Sequence, residues 1–530
     1  MIITEGTSTV GINGAILMGA SERPGAASFQ AVEAATGAPM PQLYAEALAD
    51  DVDAACALAE EAAAGFGALP PPERAAFLDT IPDQIGDLGD LLIATAMAET
   101  GLPRARLEGE RGRTVGQLRM FCDELRRGRY LDVTIEPALP EHTPPRPDLR
   151  RMAVPLGPVA VFGASNFPLA FSAAGGDTAA ALAAGCPVIV KGHPAHPGTG
   201  ELVTRAIRVA VERHGLHEGV FSYLPGSRHE LGAALVADRR IRAVGFTGSR
   251  AGGLALVEIA SARAEPNPVF AEMSSINPVV LMPGALGRGW GQLARGFAAS
   301  LMLGAGQFCT NPGLVIAIEG EALDAFVQEA ASALSMAAPQ VMLSPAIRQA
   351  YEAAVAALDA CAGALRVYGS APAGACGGSL FRTTASAFLA DEALAKEVFG
   401  ACSLVIGCSG MAEIARVLER LEGQLTATLH LESADEADAA ALLPILASLA
   451  GRVLVNGWPT GVEVSAAMVH GGPFPATSDG RSTSVGTLAM QRFLRAVCYQ
   501  GVPDALLPAA LKRANPWRLP RLVAGNPEPS

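Results

Sequence analysis

The spacing of apolar and polar residues differs between the first part of this sequence and the rest. In the first part, apolar residues recur with the period of an α-helix. Alanines recur on one face from Asp51 to Ala64, and Gly65 follows as the expected helix end. A second helical pattern runs from Glu73 to Glu99, and a third, densely charged pattern runs from Gly101 to Leu125. We therefore predict that the first part of the chain is mainly helical.

From Val154 onward, short apolar runs bounded by glycine and proline alternate with stretches of helical period. Such runs are typical of buried strands, and their alternation with helices predicts a parallel sheet covered on both faces. The predicted strands are Val159–Phe162, Pro187–Val190, Val220–Leu224 and Ile241–Phe246. The predicted helices are Thr178–Ala184, Glu201–His214, Glu230–Ala237 and Ala251–Ala262.

A second α/β series is predicted from Pro278 to about Leu449. Between the helical part and the first series, the stretch from Pro137 to Pro147 is too rich in proline for a regular helix and predicts an extended connector. From Gly471 the chain is rich in glycine, proline and serine, and it ends in a basic, proline-rich tail. The predicted helices of the second series are Leu293–Met302, Leu323–Met336, Ala346–Cys361 and Met411–Leu421.

One stretch without charged residues, Met152 to Gly176, has the length of a membrane span. Prolines and glycines interrupt it, and in lipid they would leave backbone groups without hydrogen bonds. We therefore predict a buried strand, turn and helix here, and no membrane partner.

The chain has 530 residues, which is too long for one ordinary core and predicts two or three domains. Its net charge of −13 argues against nucleic acid or an anionic membrane as a partner. Nine cysteines without regular spacing fit neither a disulfide framework nor a zinc site, so we expect no metal and a cytoplasmic location. The amino terminus lacks a basic segment followed by a long apolar run, so we expect no signal peptide.

Cys309 follows two glycines in the run Gly304 to Asn311, where a tight turn would present a nucleophile beside backbone N–H groups. A lone cysteine is more often an inert core residue. Here, however, five further motifs accompany it in a defined order: Phe162–Pro168, Val190–Pro194, Gly245–Ser249, Ala271–Ser274 and Lys396–Gly400. In order and spacing, these motifs resemble those of the aldehyde dehydrogenase superfamily, and the resemblance covers nearly the whole chain.

The resemblance implies an α/β fold of the aldehyde dehydrogenase type, with two Rossmann-like α/β domains and a small β oligomerisation arm. The cofactor-binding domain would comprise residues 1–127 and 151–273, and the catalytic domain would comprise residues 274–470. Residues 128–150 and 471–530 would form the oligomerisation arm and the C-terminal tail. A homodimer or homotetramer is the expected assembly.

Oxidation of an aldehyde to an acid needs a nucleophile, because the carbonyl carbon must become tetrahedral before it can lose a hydride. The resemblance implies that Cys309 is this nucleophile and that Asn166 and the Cys309 N–H stabilise the oxyanion. Glu272 would activate the water that hydrolyses the thioester. An unperturbed thiol is only a few per cent thiolate at pH 7, so we expect the surroundings of Cys309 to activate it.

The resemblance also implies a nicotinamide cofactor. The turn that contains Gly248 and Ser249 begins a helix whose N–H groups can meet a phosphate, and these two residues are the expected pyrophosphate contacts. Glu397 and Phe399 would hold the nicotinamide ribose and ring. After Glu272 and Met273, this chain has Ser274 and Ser275 where the family has two glycines.

NADP is expected as the preferred cofactor, with NAD possible. Lys191 would reach the adenosine ribose or its phosphate, and Arg228 would add positive charge. Pro194 stands where NAD-preferring relatives commonly carry a glutamate, whose charge would repel a 2′-phosphate.

Within the superfamily, the chain resembles α-ketoglutarate semialdehyde (2,5-dioxopentanoate) dehydrogenases, with NADP-dependent fatty aldehyde dehydrogenases nearby. By its place in the family's channel helix, Arg113 would face the end of the aldehyde remote from Cys309, with Gln117 on the same helix face. A guanidinium can clamp a carboxylate with two parallel hydrogen bonds. The stretches that carry the likeness are Phe162–Ser172, Gly175–Thr178, Lys191–Pro197, Asn456–Val464 and Met468–Gly486.

Several alternatives stay open at this stage. Arg113 could belong to a solvated charged face, and a medium or long aliphatic aldehyde could bind instead, with Phe167, Phe171 and Phe308 as apolar walls. An acylating enzyme that uses coenzyme A and a catalytically silent binding paralogue are further candidates. His470 could line the pocket or make a turn hydrogen bond.

Overall fold

The computed structural model describes residues 11–370 and 375–528. In its first part, four strands precede four helices, and two further strands follow. These elements are β1 (Ile16–Met18), β2 (Ser21–Arg23), β3 (Ser28–Val32), β4 (Pro39–Ala45), α1 (Ala49–Gly67), α2 (Pro71–Asp87), α3 (Gly89–Thr100), α4 (Arg104–Arg127), β5 (Thr134–Glu136) and β6 (Leu149–Pro155).

The helical first part is confirmed, but two of its details were wrong or missed. The first helix does not end before Gly65, because one glycine costs a helix only about 1 kcal/mol and the next residue, Phe66, is buried. The strands β1 to β4 were missed, because they are short and two of them, β2 and β3, lie mostly at the surface.

The first α/β series is confirmed, with boundaries that differ from the prediction by a few residues. Its strands are short and apolar, and β7 is buried along its whole length. The elements are β7 (Val159–Phe162), α5 (Gly176–Ala184), β8 (Val188–Lys191), α6 (Pro197–Arg213), β9 (Phe221–Leu224), α7 (His229–Ala237), β10 (Ala243–Thr247), α8 (Arg250–Ser261) and β11 (Val269–Glu272).

The second series is also confirmed, although its helix α9 begins ten residues before the predicted start and bends at Gly289. Helix α14 was not predicted. The elements are β12 (Pro278–Leu281), α9 (Pro283–Met302), β13 (Leu314–Ile318), α10 (Glu321–Met336), α11 (Pro345–Asp359), β14 (Leu365–Gly369), β15 (Ser379–Thr384), α12 (Ala385–Ala390), β16 (Cys402–Cys408), α13 (Met411–Arg420), β17 (Gln424–His430), α14 (Glu436–Leu449) and β18 (Ala450–Val455). The chain ends in β19 (Leu494–Gln500), β20 (Leu522–Val523) and β21 (Asn526–Pro527).

Three larger sheets organise these strands. The first has the order β11-β10-β7-β8-β9-β1-β2, in which β7 to β11 are parallel. The second has the order β14-β15-β16-β13-β12-β17-β18 and is parallel except for β14. The third, β19-β6-β5-β20-β21, contains the strands on either side of the proline-rich connector. This arrangement is the α/β fold with two parallel-sheet units and a small β arm that the sequence predicted.

The two parallel sheets meet at a cleft. The first sheet presents the carboxyl ends of its strands there, because Glu272 ends β11 and Gly248 follows β10. The second sheet presents amino ends, because Asn277 precedes β12 and the Cys309 loop precedes β13. A hydrogen bond of 3.0 Å from Asn166 Nδ2 to Gln307 O crosses this cleft.

Candidate active site

The turn before Cys309 depends on glycine. Gly304 and Gly306 have φ values of 59° and 71°, in the left-handed region that favours glycine. A Cβ atom on Gly306 would lie 2.2 Å from the backbone nitrogen of Ala401. The chain therefore needs glycine at position 306 both for its φ angle and for the close approach of another backbone segment.

Side-chain amides fix the loop on the other side of Cys309. Asn277 Nδ2 donates to the carbonyl oxygens of Cys309 and Asn311, each at 2.9 Å. Asn311 Nδ2 in turn donates to Gly400 O at 3.0 Å. Because these amides are buried, the position of the thiol is set before any substrate binds.

Three reactive side chains converge at the cleft. Cys309 Sγ lies 3.3 Å from His470 Nε2, and the same nitrogen lies 3.0 Å from Glu272 Oε1. Ser484 Oγ donates to Glu272 Oε2 at 2.9 Å. His470 and Glu272 are 1% and 4% exposed and are therefore shielded from bulk water, whereas Cys309 is partly accessible.

The surroundings of His470 indicate its tautomer. Its Nδ1 is buried and has no hydrogen-bond partner among the described residues. A proton on Nδ1 would therefore lack an acceptor, whereas a proton on Nε2 can be donated to Glu272. We assign the proton to Nε2, which leaves His470 unable to accept the proton of Cys309.

The thiol is not activated in the way that the sequence led us to expect. Burial, followed by the negative charge of Glu272, raises the pKa of Cys309 well above its usual range. Burial also acts to raise the pKa of Glu272, but the interaction with His470 and the hydrogen bonds to the carboxylate leave that pKa below its usual value. The resting site thus pairs a thiol with a carboxylate, and the carboxylate is the group that can take the thiol proton.

Asn166 lies next to the loop that carries Cys309. Its Nδ2 uses one hydrogen for Gln307 O and keeps a second one. The backbone N–H of Cys309 has no acceptor within residues 11–370 and 375–528. These two groups are the donors that the sequence had predicted, and the structure leaves both of them with a free hydrogen.

Three phenylalanines form an apolar cluster that includes Phe308, the neighbour of Cys309, and we infer that this cluster forms the wall of the aldehyde pocket. The Phe167 ring packs edge to face against the Phe171 and Phe308 rings, at centroid distances of 5.4 and 5.3 Å. Two arginines of α4 cover these rings: the Arg106 guanidinium lies 4.5 Å from the Phe167 centroid, and that of Arg113 lies 5.1 Å from the Phe171 centroid. The pocket is therefore apolar along its walls and cationic at one end.

The two arginines differ in what they already bind. Arg106 Nη1 is paired with the buried Glu110 at 2.5 Å. Arg113 Nε and Nη2 are buried and have no hydrogen-bond partner in the described part of the chain. Gln117 lies deeper, against Gly176 at the start of α5, and its amide is likewise without partners there.

The predicted adenosine side of the cleft contains Lys191 and Arg228. Lys191 Nζ donates to Gly226 O at 2.8 Å, and burial lowers the pKa of Lys191 to about 8. Arg228 is exposed at the N-terminus of α7. The nearby carboxylate of Glu46 is bound by the N–H and Oγ of Ser227 and by the Arg228 N–H. A cationic side chain and a helix N-terminus thus lie close together.

The glycine turn after β10 is built for packing and for capping. A Cβ atom on Gly248 would lie 2.6 Å from the Phe246 ring, and the Gly248 N–H donates to Glu272 O at 3.1 Å. Ser249 caps α8 by accepting from Gly252 N at 3.1 Å, which leaves its hydroxyl hydrogen free to donate. The first N–H groups of a helix lack acceptors within the helix, so those of α8 could bind an anion such as a phosphate.

The two serines after Glu272 have defined partners. Ser274 Oγ donates to Glu397 Oε2 at 2.7 Å, and burial raises the pKa of Glu397 to about 7. Ser275 Oγ bonds to Asn277 and Gln424. Glu397 and Phe399 line a cleft that reaches Phe308. The α8 N-terminus, Lys191 and Glu397 are the groups that could hold a dinucleotide cofactor.

Sequence reasoning missed other functional neighbours. Asp177, which replaces a lysine common in the family, is buried and pairs with Arg492 of the C-terminal segment at 2.7 Å. His470 was left undecided, since a lone histidine before two glycines carries no periodic signal. Ser484 was noticed only as part of a resembling stretch. The segment after Gly471, predicted as arm and tail, first runs beside β11, where Met273 N donates to Ala476 O at 2.8 Å.

A comparison with family models identifies the family of this chain: residues 22–488 match the aldehyde dehydrogenase family. The chain belongs to this family. It is an oxidoreductase that converts aldehydes to acids, and the family uses NAD(P).

Two curated relatives resemble this aldehyde dehydrogenase over nearly their whole length. Alpha-ketoglutaric semialdehyde dehydrogenase 2 of Azospirillum brasilense is 55% identical and covers 98% of this chain and 100% of the relative. Alpha-ketoglutaric semialdehyde dehydrogenase of Acinetobacter baylyi is 48% identical and covers 94% of this chain and 96% of the relative.

Solved structures share the fold at lower identity. KauB of Pseudomonas aeruginosa is 21% identical, with a TM-score of 0.80 over 92% of this aldehyde dehydrogenase and 97% of KauB. A 1-pyrroline-5-carboxylate dehydrogenase from Thermus with bound NAD is 21% identical, with a TM-score of 0.79 over 92% of each chain. Within the residues described, no helix of this aldehyde dehydrogenase is both long and apolar enough to span a membrane.

Proposed function

We propose that this aldehyde dehydrogenase oxidises α-ketoglutaric semialdehyde to 2-oxoglutarate, with a preference for NADP. Two relatives with 55% and 48% identity carry this activity in their names. The observation that carries the proposal is Arg113, whose Nε and Nη2 are buried without partners beside the phenylalanine pocket. A carboxylate at the far end of the aldehyde supplies the two acceptors that these donors lack.

A long aliphatic aldehyde fits this pocket less well. Its chain would pack against Phe167 and Phe171 but would leave the guanidinium of Arg113 without an acceptor. Burial already lowers the pKa of Arg113, although the guanidinium stays charged at any working pH. An anionic substrate offsets the free-energy cost of burying this charge, and an alkyl group does not.

The first step is proton transfer from Cys309 to Glu272. His470 donates from Nε2 to Glu272 and orients the carboxylate, while Ser484 holds its other oxygen. The thiolate then attacks the aldehyde carbon to give a thiohemiacetal. Asn166 Nδ2 and the Cys309 N–H donate to the oxygen that becomes negative.

NAD(P)⁺ would supply the acceptor for the hydride of the thiohemiacetal carbon. Lys191, the α8 N-terminus with Ser249, and Glu397 with Phe399 would hold the cofactor. Cys309 then carries a thioester, and Glu272, after releasing the first proton, removes a proton from the attacking water. A carboxylate in contact with the nucleophile favours hydrolysis over acyl transfer to coenzyme A.

The NADP preference rests on charge. Lys191 and Arg228 lie at the expected adenosine end, and position 194 carries a proline in place of an acidic residue. The acidic Glu46 is occupied by three donors from Ser227 and Arg228. A 2′-phosphate would therefore be attracted by these cations, with little electrostatic repulsion from Glu46.

Two edge strands support a homo-oligomer, either a dimer or a tetramer. β18 and β19 lie at the ends of their sheets, and the side chains of Val453 and Val455 on β18 are 36% and 53% exposed. Unpaired strand edges with apolar side chains are suited to pair with another chain. Light scattering of Val455→Lys compared with the unmutated enzyme tests this assembly, because a charge at the interface should give smaller particles.

The substrate is tested by kcat/KM for the semialdehyde and for hexanal, with Arg113→Leu as the variant. Loss of a buried charged hydrogen bond should lower kcat/KM for the semialdehyde by roughly 30- to 1,000-fold. The value for hexanal should fall much less or rise. Arg104→Leu, which changes an exposed arginine of the same helix, is the control and should leave both values unchanged.

Two outcomes would contradict the proposal. Preference of the unmutated enzyme for hexanal would exclude the carboxylate substrate. If Arg113→Leu kept the preference for the semialdehyde, another residue would anchor the carboxylate.

A further inference from the structure

We propose that Cys309, His470 and Glu272 form an inhibitory binding site for Zn²⁺. The three side chains offer one ligand atom each, and these atoms all lie within 4.8 Å of one another. Thiolate sulfur, imidazole nitrogen and carboxylate oxygen are the ligand types that zinc takes in proteins.

The spacing of the ligand atoms suits a tetrahedral ion. Cys309 Sγ and His470 Nε2 are 3.3 Å apart, and His470 Nε2 and Glu272 Oε1 are 3.0 Å apart. Zinc bonds of about 2.0 to 2.3 Å set tetrahedral ligand atoms roughly 3.3 to 3.8 Å apart. An ion can therefore enter after small side-chain adjustments, with its fourth position open toward the aldehyde pocket.

The cluster is already held in place by its neighbours. Ser484 Oγ fixes the second oxygen of Glu272, and Thr483 Oγ1 accepts from the His470 backbone N–H at 2.8 Å. Asn277 fixes the Cys309 loop through the Cys309 carbonyl oxygen. A metal thus meets ligands that lose little conformational freedom on binding.

Zinc binding displaces two protons, one from Cys309 and one within the His470 ring. The Cys309 thiol releases its proton to solvent as the Zn–S bond forms, and the His470 proton moves from Nε2 to Nδ1. Glu272 binds as the carboxylate that it already is. One proton is released for each zinc ion, so affinity rises with pH.

Two features make this site weaker than a structural zinc site. Nδ1 of His470 has no partner among the described residues, so the proton that it receives is not stabilised. Arg113 lies close enough to interact with the charge of Cys309 and opposes a cation. Reversible binding is therefore expected, and bound zinc blocks both the nucleophile and the base.

Iodoacetamide labelling of the metal-free enzyme, read by mass spectrometry, tests the site without any variant. Zn²⁺ should protect Cys309 from alkylation by at least tenfold, and a chelator should restore the labelling. Cys498 is an exposed thiol of the same chain and should be labelled equally with and without zinc. Mg²⁺ should not protect Cys309, because it avoids sulfur and nitrogen ligands.

Calorimetry and Co²⁺ absorption define the ligands. We expect one Zn²⁺ per chain, one proton released per ion in buffers of different ionisation enthalpy, and a thiolate-to-Co²⁺ charge-transfer band. Cys309→Ala and His470→Phe should weaken zinc binding by more than the roughly 10- to 100-fold that loss of a second-shell partner costs. Cys56→Ala, at a buried cysteine of α1, should bind zinc like the unmutated enzyme.

Three results would overturn the proposal. One is alkylation of Cys309 at the same rate with and without Zn²⁺. Another is a Co²⁺ spectrum without a thiolate band, and the third is unchanged zinc affinity in folded Cys309→Ala and His470→Phe proteins.

Discussion

The first sheet meets the active site with the carboxyl ends of its strands, whereas the second sheet meets it with their amino ends. Both sheets are α/β units of seven strands. At the carboxyl edge, helices α5, α6 and α8 begin, and their N-termini carry partial positive charge. At the amino edge, the loop with Cys309 follows the C-terminal end of α9.

Because of this difference, the two edges have different roles in the proposed mechanism. The carboxyl edge attracts anions, which suits the phosphates of a dinucleotide and the buried Asp177 at the start of α5. The amino edge gives the thiol no helix N-terminus, and the pKa of Cys309 is raised by burial and by Glu272. We therefore propose that the carboxyl edge binds the phosphates of the cofactor, while the amino edge presents a nucleophile that stays protonated until Glu272 accepts its proton.

The largest effect is expected from Cys309→Ala. Turnover should fall by roughly 10,000-fold or more, because the covalent step is lost. NADP affinity should change by no more than about twofold, because none of the proposed cofactor contacts involves the Cys309 thiol. Steady-state kinetics and fluorescence titration measure the two values. A parallel loss of NADP affinity would show that the two edges do not act separately.

Glu272→Gln comes next in size. The rate should fall roughly 100- to 10,000-fold, because the variant lacks the base for both the thiol and the water. Raising the pH should restore part of the first turnover, seen as a burst of reduced cofactor, since hydroxide can then deprotonate Cys309. A variant with the steady-state rate of the unmutated enzyme would place the base elsewhere.

The Arg492→Met variant tests the buried ion pair that Arg492 forms with Asp177 at the carboxyl edge of the first sheet. The change leaves Asp177 buried without its partner and should lower the free energy of unfolding by about 3 to 5 kcal/mol. Chemical denaturation measures it. The control is Arg416→Met in an exposed ion pair of the second unit, which should cost less than about 0.5 kcal/mol. An equal loss of unfolding free energy in the two variants would contradict a larger contribution from the buried pair.

The smallest effect concerns the pH dependence of NADP binding. The pKa of Lys191 is lowered to about 8, so its charge is present below this pH and is lost above it. The Kd for NADP should rise by up to about tenfold per pH unit above pH 8, and the Kd for NAD should change little. In Lys191→Gln the difference between the two cofactors should no longer depend on pH in this range.

Much of the fold could be predicted because its signals are local. The alternation of strands and helices and the motif order around Cys309 follow from neighbouring residues, and both sheets were anticipated. The misjudged helix end at Gly65 and the missed strands β1 to β4 have one cause in common: tertiary packing outweighed weak local preferences. The division into domains by residue number stays a prediction.

The sequence alone determined the family, the nucleophile loop and the candidate base, because these depend on residue type and spacing. Only the tertiary structure decided that His470 contacts both Cys309 and Glu272, that Ser274 binds Glu397, and that Asp177 pairs with Arg492. These partners are separated by 123 to 315 residues along the chain. No local pattern encodes such contacts, since they arise only when the two sheets and the C-terminal segment pack around one cleft.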